Sequence, residues 1–476
     1  MGLTRDEILS MLRSGAVEFV DLKLIDLPGT WHHITLPAEE ITEEAFDGGV
    51  PFDGSSLRGF REIEESDMIM LPDPASAFLD PFHAHPTLSI SCDVYDPAME
   101  RFSRDPRRVA QAAEAHLKAT GLGDAAYFGP ELEFFVFDDV RYQVDPQESF
   151  FAIGSDESHW GAGDVGAPNL QHRIRAKSGY APVAPNDQHS DLRGEMVRAL
   201  KSCGIEVERH HHEVATAGQG EIGIRFDRLT ATADHVMLYK YIVKNVARQS
   251  GRVATFMPKP LYGDNGSGMH THQSVSKDGQ PLFYDKDGYA QLSPFALHYI
   301  AGILSHAPAL VGLTNATTNS FRRLVPGFEA PVNLVFAKGN RSAAVRVPTT
   351  AHNPKAVRIE FRTPDATGNP YLSFAAMLMA GLDGVRRKLD PTALGFGPLD
   401  KNIYHLSPED AAKVRAVPGS LGEALDALER DHAFLLEDGV FTEDLIATWI
   451  DYKRREELHV VNLRPTPMEF HLYLDI

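Results

Sequence analysis

The chain of 476 residues is 43% hydrophobic and 24% charged, the balance of an ordinary globular protein with room for more than one domain. Its formal net charge of −20 argues against nucleic acid or an anionic membrane as partner, because each needs a broad basic face. Two cysteines, Cys92 and Cys203, support neither a disulfide framework nor a thiolate metal site, and the first ten residues lack an apolar signal core, so a reducing cytoplasm is expected.

In chain order, residues 4–13 place Ile8, Leu9 and Leu12 on one helical face. Strand-like runs follow at 17–24 and 88–94, and 72–86 reads as a loop rich in Pro and Asp. Residues 101–105 look like a junction, with Pro106 at an early helical position and a helical run to 120. The expected domains are therefore 1–105 and 106–476. Beyond the junction come a strand at 127–137, a helix at 191–202, strands at 206–213 and 221–226 around a Gly-containing turn, and a long helix at 231–249. The longest apolar stretch, 299–313, is interrupted by Ser305 and His306 and is too short to span a bilayer. Helical patterns dominate from 372, broken by a loop at 394–407. The plain reading is α+β, a small N-terminal domain followed by a large one.

Residues two apart on a strand share a face. In Gly129-Pro130-Glu131-Leu132-Glu133 the two carboxylates project together; in His270-Thr271-His272-Gln273-Ser274 two imidazoles and a hydroxyl do so; in Arg358-Ile359-Glu360-Phe361-Arg362 a carboxylate lies between two arginines. Glu213 and Glu221 bracket a hairpin turn. Each taken singly fits a structural ion pair or a satisfied core histidine as well as a ligand. Five converging carboxylates, however, would repel by up to ~4 kcal/mol per pair at 4 Å and an effective dielectric near 20. Glu131, Glu133, Glu213, Glu221 and Glu360 with His270 would suit Mg²⁺ or Mn²⁺, partners of nucleotide phosphates. Arg322, Arg323, Arg341 and Arg346 supply forks for anionic substrates. No phosphate-binding glycine-lysine loop occurs. The run His210-His211-His212 cannot turn all three rings to one ion, and is read as a strand entering the site rather than a zinc centre.

These motifs, together with Phe52-Asp53-Gly54-Ser55-Ser56, His212-Glu213-Val214-Ala215-Thr216-Ala217-Gly218-Gln219, Asn265-Gly266-Ser267-Gly268 and Arg323-Leu324-Val325-Pro326-Gly327-Phe328-Glu329, closely resemble the signatures of type I glutamine synthetases along nearly the whole chain. The resemblance implies a β-grasp N-terminal domain and a catalytic domain built on a curved antiparallel sheet flanked by helices. It implies glutamate–ammonia ligation with ATP as co-substrate and two to three Mg²⁺ or Mn²⁺ ions. One metal would sit on Glu133, Glu213 and Glu221, another on Glu131, His270 and Glu360. Asn265, Gly266, Arg323, Arg341, Arg346 and Arg362 would hold glutamate and phosphate; Phe226, His272, Ser274, Lys355 and Arg358 would surround the nucleotide. Asp53, Ser56, Tyr180, Glu213 and Glu329 would surround ammonium, with Asp53 as base, Glu329 taking a later proton and Arg341 also catalytic. The implied assembly is a dodecamer of two stacked hexameric rings with active sites between subunits.

The sequence departs from the family pattern at Tyr180-Ala181-Pro182-Val183-Ala184-Pro185 and at Phe336-Ala337-Lys338-Gly339. The loop around Tyr404 looks like that of the subgroup modified by adenylylation, which implies Tyr404 as acceptor and an adenylyltransferase as partner; His405 and Ser407 stand where that subgroup has Asp and Pro. The rival readings are a ligase joining glutamate to a polyamine or another amine, and a non-catalytic scaffold of the same descent.

Overall fold

Thr4 starts the first helix, α1 (Arg5–Arg13), by a reciprocal cap: its hydroxyl accepts from the Glu7 amide and the Glu7 carboxylate accepts from the Thr4 amide. The computed structural model describes residues 2–163, 166, 168–325, 330–348, 353–400, 409 and 414–476. After α1 come β1 (Phe19–Ile25), β2 (Trp31–Pro37), α2 (Glu43–Asp47), β3 (Val50–Asp53), β4 (Asp67–Pro72), β5 (Phe78–Leu79) and β6 (Thr87–Tyr95). They form a sheet in the order β2-β1-β6-β4-β3, with β5 on β6 and only β1 and β6 parallel. The stretch 72–86, expected as loop, contributes β5. Ile8, Val20, Leu22, Met70 and Ile90 belong to a core of this sheet's own, separate from the larger one.

The second body begins at α3 (Pro106–Ala119), where the Asp105 carboxylate accepts from the Arg107 amide and Pro106 stands in the first turn, which lacks an amide partner in any case. β7 (Ala125–Phe137) is paired on both edges and is buried along almost its whole length. There follow the hairpin β8 (Asp139–Val144) and β9 (Ser149–Gly154), α4 (Ser190–Ser202), β10 (Val207–His212), β11 (Gln219–Ile224), β12 (Asp227–Arg228), α5 (Leu229–Gln249), β13 (Val253–Thr255), β14 (Met269–Lys277) and β15 (Gln280–Pro281). Then come α6 (Pro294–Thr314), α7 (Ser320–Arg323), β16 (Asn333–Lys338), β17 (Ala343–Val347), β18 (Ile359–Phe361) and α8 (Pro370–Arg387). The large sheet runs β10-β11-β7-β14-β18-β17-β16. Its pairings among the described residues are antiparallel, as expected, except for the parallel pair β16–β17.

Helices back this sheet. The Tyr239 hydroxyl of α5 donates to Leu132 O and accepts from the Ile222 amide, tying helix to β7 and β11. α6 is long and apolar enough to cross a membrane by composition, yet most of it is buried inside the protein. It packs on α8 by backbone approach: a Cβ at Gly302 would stand 2.1 Å from Ala380 O, and one at Gly384 2.2 Å from His298 O. Arg107 of α3 is one of the ties between the two bodies, reaching Asp73 and Asp93 on one side and Asp234 of α5 on the other; Asn369 adds another, donating to Asp26 O and Leu27 O.

Candidate metal centre and active site

The register of the large sheet assembles the site. Glu221 of β11 lies opposite Glu133 of β7 and, on its other side, opposite His211 of β10. Glu131 lies opposite His270 of β14; Glu360 of β18 lies opposite both His272 and Arg346. Directly opposed residues on one face are the closest side-chain neighbours a sheet provides. Six strands thus deliver their polar stripes to one place.

Two clusters result. Ligand atoms of Glu131, His270 and Glu360 lie within 4.8 Å of one another, as do those of His211, Glu213 and Glu221. Glu133 stands between them, 3.9 Å from His270 Nδ1, with its carboxylate accepting from the Gly268 amide at 2.8 Å. Burial and the charges of Glu213 and Glu221 push the Glu133 carboxyl up to about 8, and burial with Glu221 pushes Glu213 up to about 7. Burial also disfavours charge on Glu131, but hydrogen bonds from His270 and His272 hold it well below the usual carboxylate range. Glu360, although buried, is held at about 2 by the Arg362 guanidinium, and burial with Arg362 pushes His270 down to about 4. Carboxyls driven up by one another form a site short of positive charge. An oxygen-rich donor set, with the His270 imidazole held neutral and no thiolate, fits hard divalent ions.

The arginines close the rim. Arg346 and Arg362 both pair with Glu360. Arg323 is buried, donating to Thr363 O at 2.8 Å and Arg362 O at 3.1 Å, and it packs beneath Gly266 and Gly268, where a Cβ would collide with it. Asn265 is buried in the same loop, and Gly266 O accepts from the Gln219 amide group at 3.1 Å. Arg341 is exposed on the turn before β17, within electrostatic reach of Glu213.

Beside Glu131 opens a cavity of about 540 Å³ lined by Tyr127, Phe226, His272, Ser274, Lys355 and Arg358. All five expected nucleotide residues are on its wall. Phe226 is half exposed and stands edge-on to Tyr127. His272 donates from Nε2 to Glu131 at 3.0 Å and accepts at Nδ1 from Arg358 Nε at 3.1 Å, which fixes its tautomer.

Tyr180 is exposed beside this centre, edge-on to His211 with centroids 5.6 Å apart. Asp53 and Ser56 are exposed at the end of β3 in the small domain; Ser55 and Ser56 hydroxyls donate to the Asp53 carboxylate and hold it below its ordinary range. Among the described residues of this chain, the side-chain hydrogen bonds of Asp53 and Ser56 stay within their own turn and do not reach the acidic cluster. Glu329 and Tyr404 lie outside the described residues. Sequence reasoning missed His211, which the β10–β11 register brings to Glu221, and Arg209, whose guanidinium lies 3.6 Å from Glu131. Alternation along β10 separates His211 from His210 and His212, but only the register says which face meets the site.

Residues 16–97 match the family profile described as "Glutamine synthetase, beta-Grasp domain" and 103–473 the one described as "Glutamine synthetase, catalytic domain". The chain is 55% identical over 473 residues to a glutamine synthetase of Microchaete diplosiphon, covering 99% of each chain, and 52% identical over 478 residues to one of Mycobacterium tuberculosis, again covering 99% of each. Among solved structures it resembles Plasmodium falciparum glutamine synthetase, with TM-score 0.90, 31% identity and 99% of each chain covered. It also resembles a GmaS/ADP complex, with TM-score 0.80, 28% identity and coverage of 98% of this chain and 99% of that one. With both profiles in order and half of its residues shared over almost its full length, the chain belongs to the glutamine synthetase family.

Proposed function

We propose that this protein is a glutamate–ammonia ligase, making glutamine from glutamate, ammonia and ATP through γ-glutamyl phosphate. The observation that carries this reading is the register gathering Glu131, Glu133, Glu221, His270 and Glu360 beside the cavity, in a chain 52–55% identical to named glutamine synthetases. Glu133, Glu213 and Glu221 would hold one divalent ion, and Glu131, His270 and Glu360 another, with two to three Mg²⁺ or Mn²⁺ in all. Bound there, such ions neutralise charge developing on the nucleotide phosphates.

The chain's own residues do the rest. Phe226 offers a ring face to the base, and His272, Ser274, Lys355 and Arg358 line the remainder. Arg323, Arg341, Arg346 and Arg362, with Asn265 and Gly266, receive glutamate and the transferring phosphoryl group, for which guanidinium forks are matched. The γ-carboxylate of glutamate attacks the terminal phosphorus, forming a carboxyl–phosphate bond while ADP leaves. Ammonium has no lone pair, so a carboxylate must first take a proton: Asp53, brought with Ser56 by an adjacent copy, fills that role opposite Tyr180 and Glu213. Ammonia then attacks the acyl carbon, phosphate leaves, and Glu329 takes the excess proton.

Self-assembly into a dodecamer of two hexameric rings accompanies this reading. Asp53 and Ser56 are exposed away from the cluster, and apolar side chains stand exposed on the β8–β9 hairpin (Tyr142, Phe151) and near the C-terminus (Phe470, Leu474), which supports burial against further copies. We place the domain boundary between 105 and 106, the protein in the cytoplasm, and the adenylylated side chain, if an adenylyltransferase acts on it, at Tyr404. The test is glutamine production with each of ATP, glutamate, ammonium and Mg²⁺ omitted in turn. Any omission leaving glutamine formation intact, or faster turnover with putrescine than with ammonium, overturns the assignment.

A further inference from the structure

Glu157 follows β9 in a turn that the proposed reaction leaves unused, yet it is 1% exposed. One carboxylate oxygen accepts from the Gln188 amide at 2.9 Å; the other accepts from His212 Nε2 at 3.0 Å and lies 3.6 Å from His189 Nδ1. Its own carbonyl accepts from the Ile174 amide at 3.0 Å. A single side chain therefore ties the approach to α4 to the end of β10.

His212 passes that anchorage onward. Its Nδ1 donates to Glu213 O at 2.6 Å, so the ring is held at both nitrogens and fully buried. The segment carrying Tyr180 is docked on this same strand end: the Gly179 amide donates to Val214 O at 2.9 Å and the Ala181 amide to His212 O at 3.1 Å, one bond on each side of Tyr180. No slack remains beneath it. A Cβ at residue 179 would stand 2.5 Å from Ala215 O, 2.7 Å from Glu213 O and 2.8 Å from His212 Cε1. The His212 ring is thus the floor on which the tyrosine segment rests, and Glu157 fixes the floor.

We infer that Glu157 is a positioning residue which, acting through His212, sets where Tyr180 and Glu213 stand around the incoming ammonium. This deepens the proposed ligase reading and rests on it. A displacement of about 1 Å at a substrate-orienting group is enough to change turnover severalfold to a hundredfold. The effect should fall on the substrate that these two residues face, not on ATP, whose cavity lies on the other side of Glu131.

The experiment uses the full-length assembled enzyme. Glu157→Ala is expected to raise the KM for ammonium about tenfold while the KM for ATP changes by less than about twofold. Glu157→Gln, of the same length, keeps an acceptor for the Gln188 amide and can donate its NH2 to His212 Nε2 once that ring carries its proton on Nδ1 alone, and is expected to recover most of the loss. Gly179→Ala, which lifts the tyrosine segment while Glu157 remains, is expected to reproduce the ammonium defect. The inference is overturned by an unchanged ammonium KM in Glu157→Ala, or by a fall in kcat that only tracks the folded fraction. Should Glu157→Ala fail to fold, Gly179→Ala decides: an unchanged ammonium KM there overturns the inference. A wild-type enzyme that makes no glutamine sinks the ligase reading instead, and is recognised before any variant is compared.

Discussion

Glu133 and Glu221 stand directly opposite each other in the β7–β11 ladder, carboxylate against carboxylate. Like charges so placed weaken a sheet, and burial compounds the repulsion. Divalent ions should therefore stabilise the protein, by about 2.7 kcal/mol when present at about a hundred times their Kd. Thermal unfolding with Mg²⁺ or Mn²⁺ and after chelation measures this. Glu133→Gln should lose most of the metal increment while leaving the metal-free protein no less stable; an undiminished increment would count against metal binding at Glu133.

Arg107 is 4% exposed and bonds three carboxylates from three segments, Asp73 at 2.6 Å, Asp93 at 2.6 Å and Asp234 at 3.0 Å. Removing the cation leaves Asp93 with Arg101 and Gln111 and Asp234 with the Tyr371 hydroxyl, but takes the shared counter-charge from all three. Arg107→Met should destabilise by about 3–5 kcal/mol in chemical denaturation, as breaking a buried pair by deleting one partner does. Arg107→Lys should recover only part, since a point charge cannot serve three acceptors set around a planar fork. A loss below about 1 kcal/mol in Arg107→Met would contradict this account of how the two bodies are joined.

His306 of α6 links Asp383 of α8 at 3.0 Å to Asp431 at 2.8 Å and stacks on Phe434. Burial opposes its charged form, but hydrogen bonds to the two carboxylates overcome this and raise the imidazole above its ordinary value. A folded-state pKa above the unfolded one contributes stability that is complete below about 6.5 and lost as pH rises through the raised value. The stability difference between wild type and His306→Ala should accordingly be largest in mildly acidic buffer, where the charged hydrogen bonds are worth about 2 kcal/mol, and shrink in alkaline buffer. A gap that grows with pH would reverse the assignment of charge.

Asp53 is exposed in the isolated chain, so replacing it should not unfold anything. Asp53→Ala is expected to lose glutamine formation by about a hundredfold or more, as expected for removing a general base, with the melting temperature unchanged. Mixing inactive Asp53→Ala and Glu133→Gln chains before reassembly should restore part of the activity, because some interfaces then pair an intact Asp53 with an intact metal centre. Mixed assemblies that remain dead would argue that both residues serve one site within a single chain.

Much of the site was legible as parity along single strands. Glu131 with Glu133, His270 with His272 and Glu360 between its arginines share faces as alternation requires, and the structure brings them together. What alternation cannot supply is which strand lies next to which. His211 joins the centre because β10 lies one strand beyond Glu221, a fact of pairing absent from any local window. The β8–β9 hairpin escaped notice for a different reason: its exposed tyrosine and phenylalanines blur the polar-outside pattern. The parallel pair β16–β17 is likewise a matter of connection rather than composition. Glu157 has an unremarkable sequence setting, and only its burial beside His212 singles it out.

The turn between β10 and β11 is consequently inelastic. Lengthening a surface turn by one residue ordinarily changes closure entropy by a small fraction of a kcal/mol. Here one extra residue absorbed into the ladder would rotate Glu221 to the far side of the sheet, away from Glu133 and His211. Length in this turn is thus a chemical quantity: the same slip would carry Ile222 and Ile224 out of the core, so such an insertion would cost the centre and the packing beneath it together.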